Sequence, residues 1–179
     1  MEGVIKLIIC VDDKNGMMFN HRRQSRDRLL IERLLEATGD AVICIKEYSS
    51  SLFKNALHGV ELTQEKIDEE PDGRLAKKLE GKIDGEPEEN NQEKPQEKDK
   101  IRIVEGEVDV GSEEYFFDED TDPTQFMEDV TEVIVYRWNK VYPADILCTA
   151  DFTAWSIKST YEFAGASHDK ITEETFVKE

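Results

Sequence analysis

Residues 4–19 read VIKLIICVDDKNGMMF, and the first part of this stretch decides the architecture. Val4 to Val11 is an apolar, β-branched run closed by Asp12-Asp13-Lys14-Asn15-Gly16, which predicts a buried strand followed by a loop. Beyond a loop rich in Arg and Asn, Ser25 is the expected N-cap of a helix through Ala37. Leu30, Leu34 and Ala37 share one face of it, Ile31 and Leu35 flank that face, and Gly39 is the expected stop. Arg28, Glu32 and Glu36 stand i,i+4 on the solvent side. Ala41 to Ile45 (AVICI) reads as a second buried strand, and Ser49 or Ser50 can cap a short helix ending near Leu57. Strand, helix, strand, helix is a βαβ succession, in which neighbouring strands run parallel.

The pattern breaks at 61–100, where Leu62, Ile67, Leu75, Ala76, Leu79 and Ile83 are the aliphatic residues among Glu, Lys, Gln, Asn and Pro. We read this segment as a mobile acidic insertion in a single domain of residues 1–179, with one weak helix over Arg74 to Lys82. Structure resumes at Ile101 to Val104, and Glu113 to Asp118 can form a strand. Asp122-Pro123-Thr124-Gln125 has cap, first-turn proline and glutamine in order for a short helix. Thr131 to Trp138, Trp155 to Tyr161 and Ile171 to Lys178 then read as strands without intervening helices. The expected fold class is α/β, a mainly parallel sheet with an antiparallel C-terminal edge.

Charge narrows the function. The chain has 179 residues and a net charge of −18, from 41 acids against 23 Lys plus Arg. Twelve acids and no base fall in 105–132. Such a balance speaks against direct DNA binding by phosphate neutralisation. No run approaches the roughly 20 apolar residues of a membrane helix, and a cytoplasmic protein is expected. Cys10, Cys44 and Cys148 sit in apolar runs such as LIICV and AVICI, where cysteine packs as a small hydrophobe. His21, His58 and His168 are isolated, so no metal site is expected.

Several pieces together resemble the dihydrofolate reductase fold. Leu7-Ile8-Ile9-Cys10-Val11-Asp12 followed by Asn15-Gly16-Met17 is similar to that family's first strand and active-site loop. Val141-Tyr142-Pro143-Ala144-Asp145, Trp155, Tyr161-Glu162-Phe163 and a closing strand with Phe176 are similar to its C-terminal hairpin region. The resemblance implies a pterin-facing acid near the start of the first helix, for which Asp27 is the candidate, and two turns for a nicotinamide dinucleotide. Between Arg26 and Arg28, Asp27 reads otherwise as half of a solvated ion pair. Ile45-Lys46-Glu47-Tyr48-Ser49 stands at the expected first turn without its Gly and Arg. Val110-Gly111-Ser112-Glu113-Glu114 keeps one glycine of the second and adds two carboxylates. No cofactor is therefore expected, NADP being the alternative. The phrases NGMMFNHRRQSRDRLL, WNKVYPAD and FAGASHDKIT are also similar to small bacterial proteins that carry the name ribonuclease Z, whose histidine-rich zinc cluster this chain lacks.

Two weaker motifs complete the inventory. Pro71-Asp72 with Glu80-Gly81-Lys82 superficially follows a metal-dependent nuclease pattern in the least apolar part of the chain. Ser167-His168-Asp169 are adjacent, whereas a hydrolytic triad is assembled in space, so they read as a loop before the last strand. The leading expectation is a non-catalytic interaction protein, an inhibitor whose acidic face binds a basic nucleic-acid-binding protein such as a nuclease, of the anti-CRISPR or immunity type. Glu113, Glu114, Tyr115, Phe117, Asp118, Glu119, Asp120 and Asp122 are the expected contacts. The alternatives are a reductase-like or nucleotide-binding enzyme using Asp27, and an RNA-binding or RNA-processing protein using Arg22, Arg23, Arg26 and Arg28.

Overall fold

The computed structural model describes residues 4–54 and 100–179. The expected insertion, the helix over Arg74 to Lys82 and the nuclease-like motif at Pro71 to Lys82 lie outside the described residues; of the short helix expected after Ser49 or Ser50, residues 50–54 are helical and its end near Leu57 lies outside the described residues.

The opening run forms β1 (Ile5–Val11), and five of its seven side chains are buried because apolar layers cover both faces of the sheet. After it come β2 (Gly16–Phe19), β3 (Arg22–Arg23), α1 (Arg28–Ala37) and β4 (Ile43–Ile45). From residue 100 onward lie β5 (Ile101–Ile103), β6 (Tyr115–Phe117), β7 (Val130–Arg137), β8 (Ile146–Leu147), β9 (Ser156–Phe163) and β10 (Ile171–Val177). Seven strands make one sheet in the order β5-β4-β6-β1-β7-β10-β9. The five from β5 to β7 are parallel, and β7-β10-β9 are antiparallel. This is the expected layout. Where a loop was expected after Gly16, however, β2 pairs with β3 and with β8 in a small second sheet.

Helix α1 buries Leu30, Ile31 and Leu34 against Ile8, Ile134, Tyr136 and Ile171. Each such aliphatic side chain contributes roughly 1.5–3 kcal/mol by leaving water. The cap differs from expectation: Asp27, not Ser25, starts the helix, accepting hydrogen bonds from Leu29 and Leu30 N–H at 3.0 and 3.3 Å. Asp27 lies next to the first turn and can receive two N–H groups, whereas Ser25, two residues earlier, turns toward His168. On the surface Arg28 pairs with Glu32, while Glu36 meets Arg33 instead of extending that ladder. The other sheet face is covered by Phe126, Cys148, Phe152 and Trp155, from connections rather than helices. Among the described residues no helix is long and apolar enough to cross a membrane.

Candidate functional site at the carboxyl ends of the parallel strands

Parallel sheets leave a crevice beyond the carboxyl ends of their strands, where ligands of α/β proteins bind. In this protein three distant segments converge there: 12–27, 138–142 and 165–168. They are held by two buried aspartates. Asp12, closing β1, accepts from the N–H of Lys14 and Gly16 with one oxygen, and from Tyr142 N–H and Gln24 Nε2 with the other. Burial opposes its charge, but these four donors hold its carboxyl below the usual range. Gly16 is needed for this approach, since a Cβ there would lie 2.7 Å from Ala144 Cβ.

The second aspartate is Asp27, 3% exposed. Besides the two helix N–H groups, it accepts from Ala166 N–H at 2.8 Å and Ser167 N–H at 2.9 Å, and His168 Nδ1 lies 3.0 Å from its Oδ2. Burial raises its pKa, but the bonds from Ala166, His168, Ser167 and Leu30 outweigh it and bring the carboxyl down to about 2. The expectation of a solvated ion pair is thus corrected, because the turn between β9 and β10 folds over the helix start and excludes water. Asp27 also borders the narrow cleft beside the helix start, with both of its oxygens engaged by this chain's own donors.

His168 is 4% exposed and held on every side. Its ring stacks on Trp138 with centroids 4.6 Å apart. With Nδ1 donating to the Asp27 anion, Nε2 is the acceptor, and the hydroxyls of Tyr142 and Ser25 lie 2.8 and 3.3 Å from it. Beside this group is a narrow cleft lined by Met17, Ser25, Arg26, Leu30, Leu52, Phe117 and Trp138, with about 20 Å³ of room inside. A wider groove of about 400 Å³ crosses the opposite sheet face, lined by Val11, Phe152, Trp155 and Phe176, and Arg137 within it is paired with Glu174.

The remaining strand ends carry ion pairs. Lys46, just past β4, bonds Asp118 at 3.1 Å, Asp120 at 2.6 Å and Thr121 at 2.7 Å. Burial pushes the Asp118 carboxyl up to about 7 against the pull of Lys46. Arg23 holds both oxygens of Glu119, which also accepts from Ser49 at 2.6 Å. Gly111 precedes β6, so it lies at the amino end of that strand, away from the crevice; the residues at the carboxyl end are Asp118-Glu119-Asp120. These carboxylates, tied to the cations that would otherwise meet phosphate, do not fit a dinucleotide pyrophosphate.

The acidic stretch is therefore divided. Phe117, Asp118 and Glu119 are buried, which corrects their expected place on an exposed face; an internal lysine and arginine neutralise the two acids. Asp120 shares Lys46, Asp122 caps the turn Pro123–Gln125, Glu114 pairs with Arg102, and the Tyr115 hydroxyl bonds Glu132. Glu105, Asp109 and Glu113 are exposed. In the basic cluster Arg23 is likewise internal, whereas Arg22, Arg26 and Arg28 remain exposed. Among the described residues no three His, Cys, Asp or Glu side chains stand close enough to hold a metal.

Sequence reading missed Ser25, Trp138, Tyr142 and His168 as parts of one site. The available signal was that the phrases NGMMFNHRRQSRDRLL, WNKVYPAD and FAGASHDKIT each supply one side of it.

No family model and no curated protein matches the chain. Among solved structures it is similar to a dihydrofolate reductase from Enterococcus faecalis complexed with NADP(H) and RAB-propyl. The TM-score is 0.52 at 9% identity, over 98% of this chain and 96% of that one. The fold is dihydrofolate-reductase-like, and at that identity the likeness carries the fold alone.

Proposed function

We propose that the protein acts on a small molecule through the cleft beside Asp27 and His168, and that it is not a nicotinamide-dependent reductase. The observation that carries this reading is the convergence of three distant segments on one buried carboxylate–imidazole pair at the ligand-binding edge of the sheet. A buried carboxylate–imidazole pair bordering a cleft is the kind of arrangement found at functional sites, and here it is fully hydrogen-bonded. The solved reductase is a complex with NADP(H), but the Lys46–Asp118–Asp120 and Arg23–Glu119 pairs argue against the same ligand in this chain. The test is a fragment screen by NMR on isotope-labelled protein, with NADPH and dihydrofolate as further arms. Small acyl fragments are expected to move the Trp138 indole and Ser25 amide signals, and NADPH is expected to leave the melting temperature unchanged at millimolar concentration. Fragments that move no signal around the cleft overturn the reading.

A second reading rests on the exposed half of the acidic stretch. Val108 is 86% and Ile103 49% exposed, in the same stretch of chain as the exposed Glu105, Asp109 and Glu113. Exposed apolar residues interspersed with carboxylates along the chain suit the basic surface of a nucleic-acid-binding protein such as a nuclease, as an inhibitor of the anti-CRISPR or immunity type would. Reversing Glu105, Asp109 and Glu113 to Lys should abolish capture of such a nuclease, and unchanged affinity at physiological salt eliminates this reading.

A further inference from the structure

Resting on the cleft reading above, we infer that Ser25, His168 and Asp27 form a nucleophile–base–carboxylate relay that hydrolyses short-chain carboxylic esters. The three residues meet in the order such chemistry needs. Ser25 Oγ lies 3.3 Å from His168 Nε2, and His168 Nδ1 lies 3.0 Å from Asp27 Oδ2. Nucleophile-to-base distances are often this loose before substrate binds. The order cannot be found by scanning for adjacent residues: His168 stands next to Ser167 and Asp169 in the chain, yet its relay partners come from the start of α1.

Each group has the environment its role demands. Asp27 is buried and saturated by backbone N–H donors, which keeps it an anion and lets it accept from Nδ1, fixing the tautomer that leaves Nε2 free to take a proton. The Trp138 stack fixes the ring plane. Ser25 is half-buried and lines the cleft, and its hydroxyl lies within reach of the base. In the reaction Ser25 Oγ bonds to the ester carbonyl carbon while Nε2 takes the hydroxyl proton. The imidazolium returns that proton to the departing alkoxide as the carbon–oxygen bond breaks. Water, deprotonated by the same nitrogen, then releases the acid and restores Ser25.

The cleft sets the substrate class. About 20 Å³ of room is space for one or two waters, which suits an acetyl group and not a long acyl chain. Met17, Leu30 and Trp138 give it apolar walls. Tyr142 also addresses Nε2 and is the shorter contact, so it competes with Ser25 for the lone pair.

The experiment uses the full chain with p-nitrophenyl acetate, p-nitrophenyl octanoate and a fluorophosphonate probe. Expected are a burst of p-nitrophenol with the acetate, little turnover of the octanoate, and probe adduct on Ser25 by peptide mass spectrometry. Ser25→Ala should lose both burst and adduct, roughly 100-fold or more in rate, with its melting temperature retained. Asp27→Asn, where it folds, should lower the rate and alter its pH profile, which a merely structural carboxylate would not do. Tyr142→Phe should raise adduct formation by removing the competing hydroxyl. A folded wild-type protein with no burst and no adduct on Ser25, while fragments still move the Trp138 signal, overturns the hydrolytic inference alone. Absence of fragment shifts as well overturns the cleft reading beneath it.

Discussion

Asp27 and His168 are 141 residues apart in the chain, and Oδ2 of one lies 3.0 Å from Nδ1 of the other. The bond ties the first helix to the turn between the last two strands.

The pH dependence of stability should report this carboxylate. Its folded pKa of about 2 lies below the ordinary 3.8, so the folded chain holds fewer protons between those values, and the stability it contributes is lost as pH falls through them. Asp27→Asn is expected to cost on the order of 2 kcal/mol at neutral pH and to flatten the loss of stability between about pH 4 and pH 2. Urea unfolding across that range measures it; an unchanged acid limb would show that another group dominates.

Gly165 faces the same carboxylate. A Cβ there would lie 3.0 Å from Asp27 Cγ and 2.8 Å from Ile171 Cδ1. Gly165→Ala should therefore cost roughly 1–3 kcal/mol by overpacking. Gly39, at φ +56° with open space around it, should lose only about 1 kcal/mol as Asn, the side chain that best tolerates the left-handed region. Thermal unfolding of the two variants side by side tests the contrast.

Lys46 neutralises two acids at once. Asp118 has its pKa raised by burial to about 7, above the ordinary 3.8, so the folded state takes up a proton in that interval and stability falls as pH rises through it. Lys46→Met should steepen that fall, with a loss of about 3 kcal/mol at pH 8 and a smaller one near pH 5. A loss equal at both pH values would contradict the pairing.

The three thiols should be unreactive in the folded protein. Burial raises all of them, Cys44 to about 12 with Glu114 adding to the effect, and Cys148 to about 11. At pH 8 thiolate populations are then small, and a disulfide reagent should titrate the cysteines only after denaturant is added. Rapid reaction of one thiol before unfolding would place it in an open environment.

Much of the architecture was legible locally. β-branched runs at 4–11 and 41–45 sit in the parallel core, and the closing strands follow with shifts of a few residues at their ends. The site was less legible. Asp27 between two arginines reads as a surface ion pair, and Phe117-Asp118-Glu119 reads as exposed in so acidic a stretch. Lys46, Arg23 and the 165–168 turn, all distant in sequence, are what bury them.

From its sequence alone this protein is determined to be an α/β chain with a parallel sheet, an antiparallel edge and a strongly acidic composition, because periodicity and net charge can be read without knowing what packs against what. Tertiary structure alone decides which charges are surface and which are internal, and that Ser25, His168 and Asp27 meet. The physical reason is that burial and hydrogen bonding depend on what packs against a group. For each of these side chains the decisive partner arrives from more than a hundred residues away, or, for Lys46 and Arg23, from some seventy to a hundred.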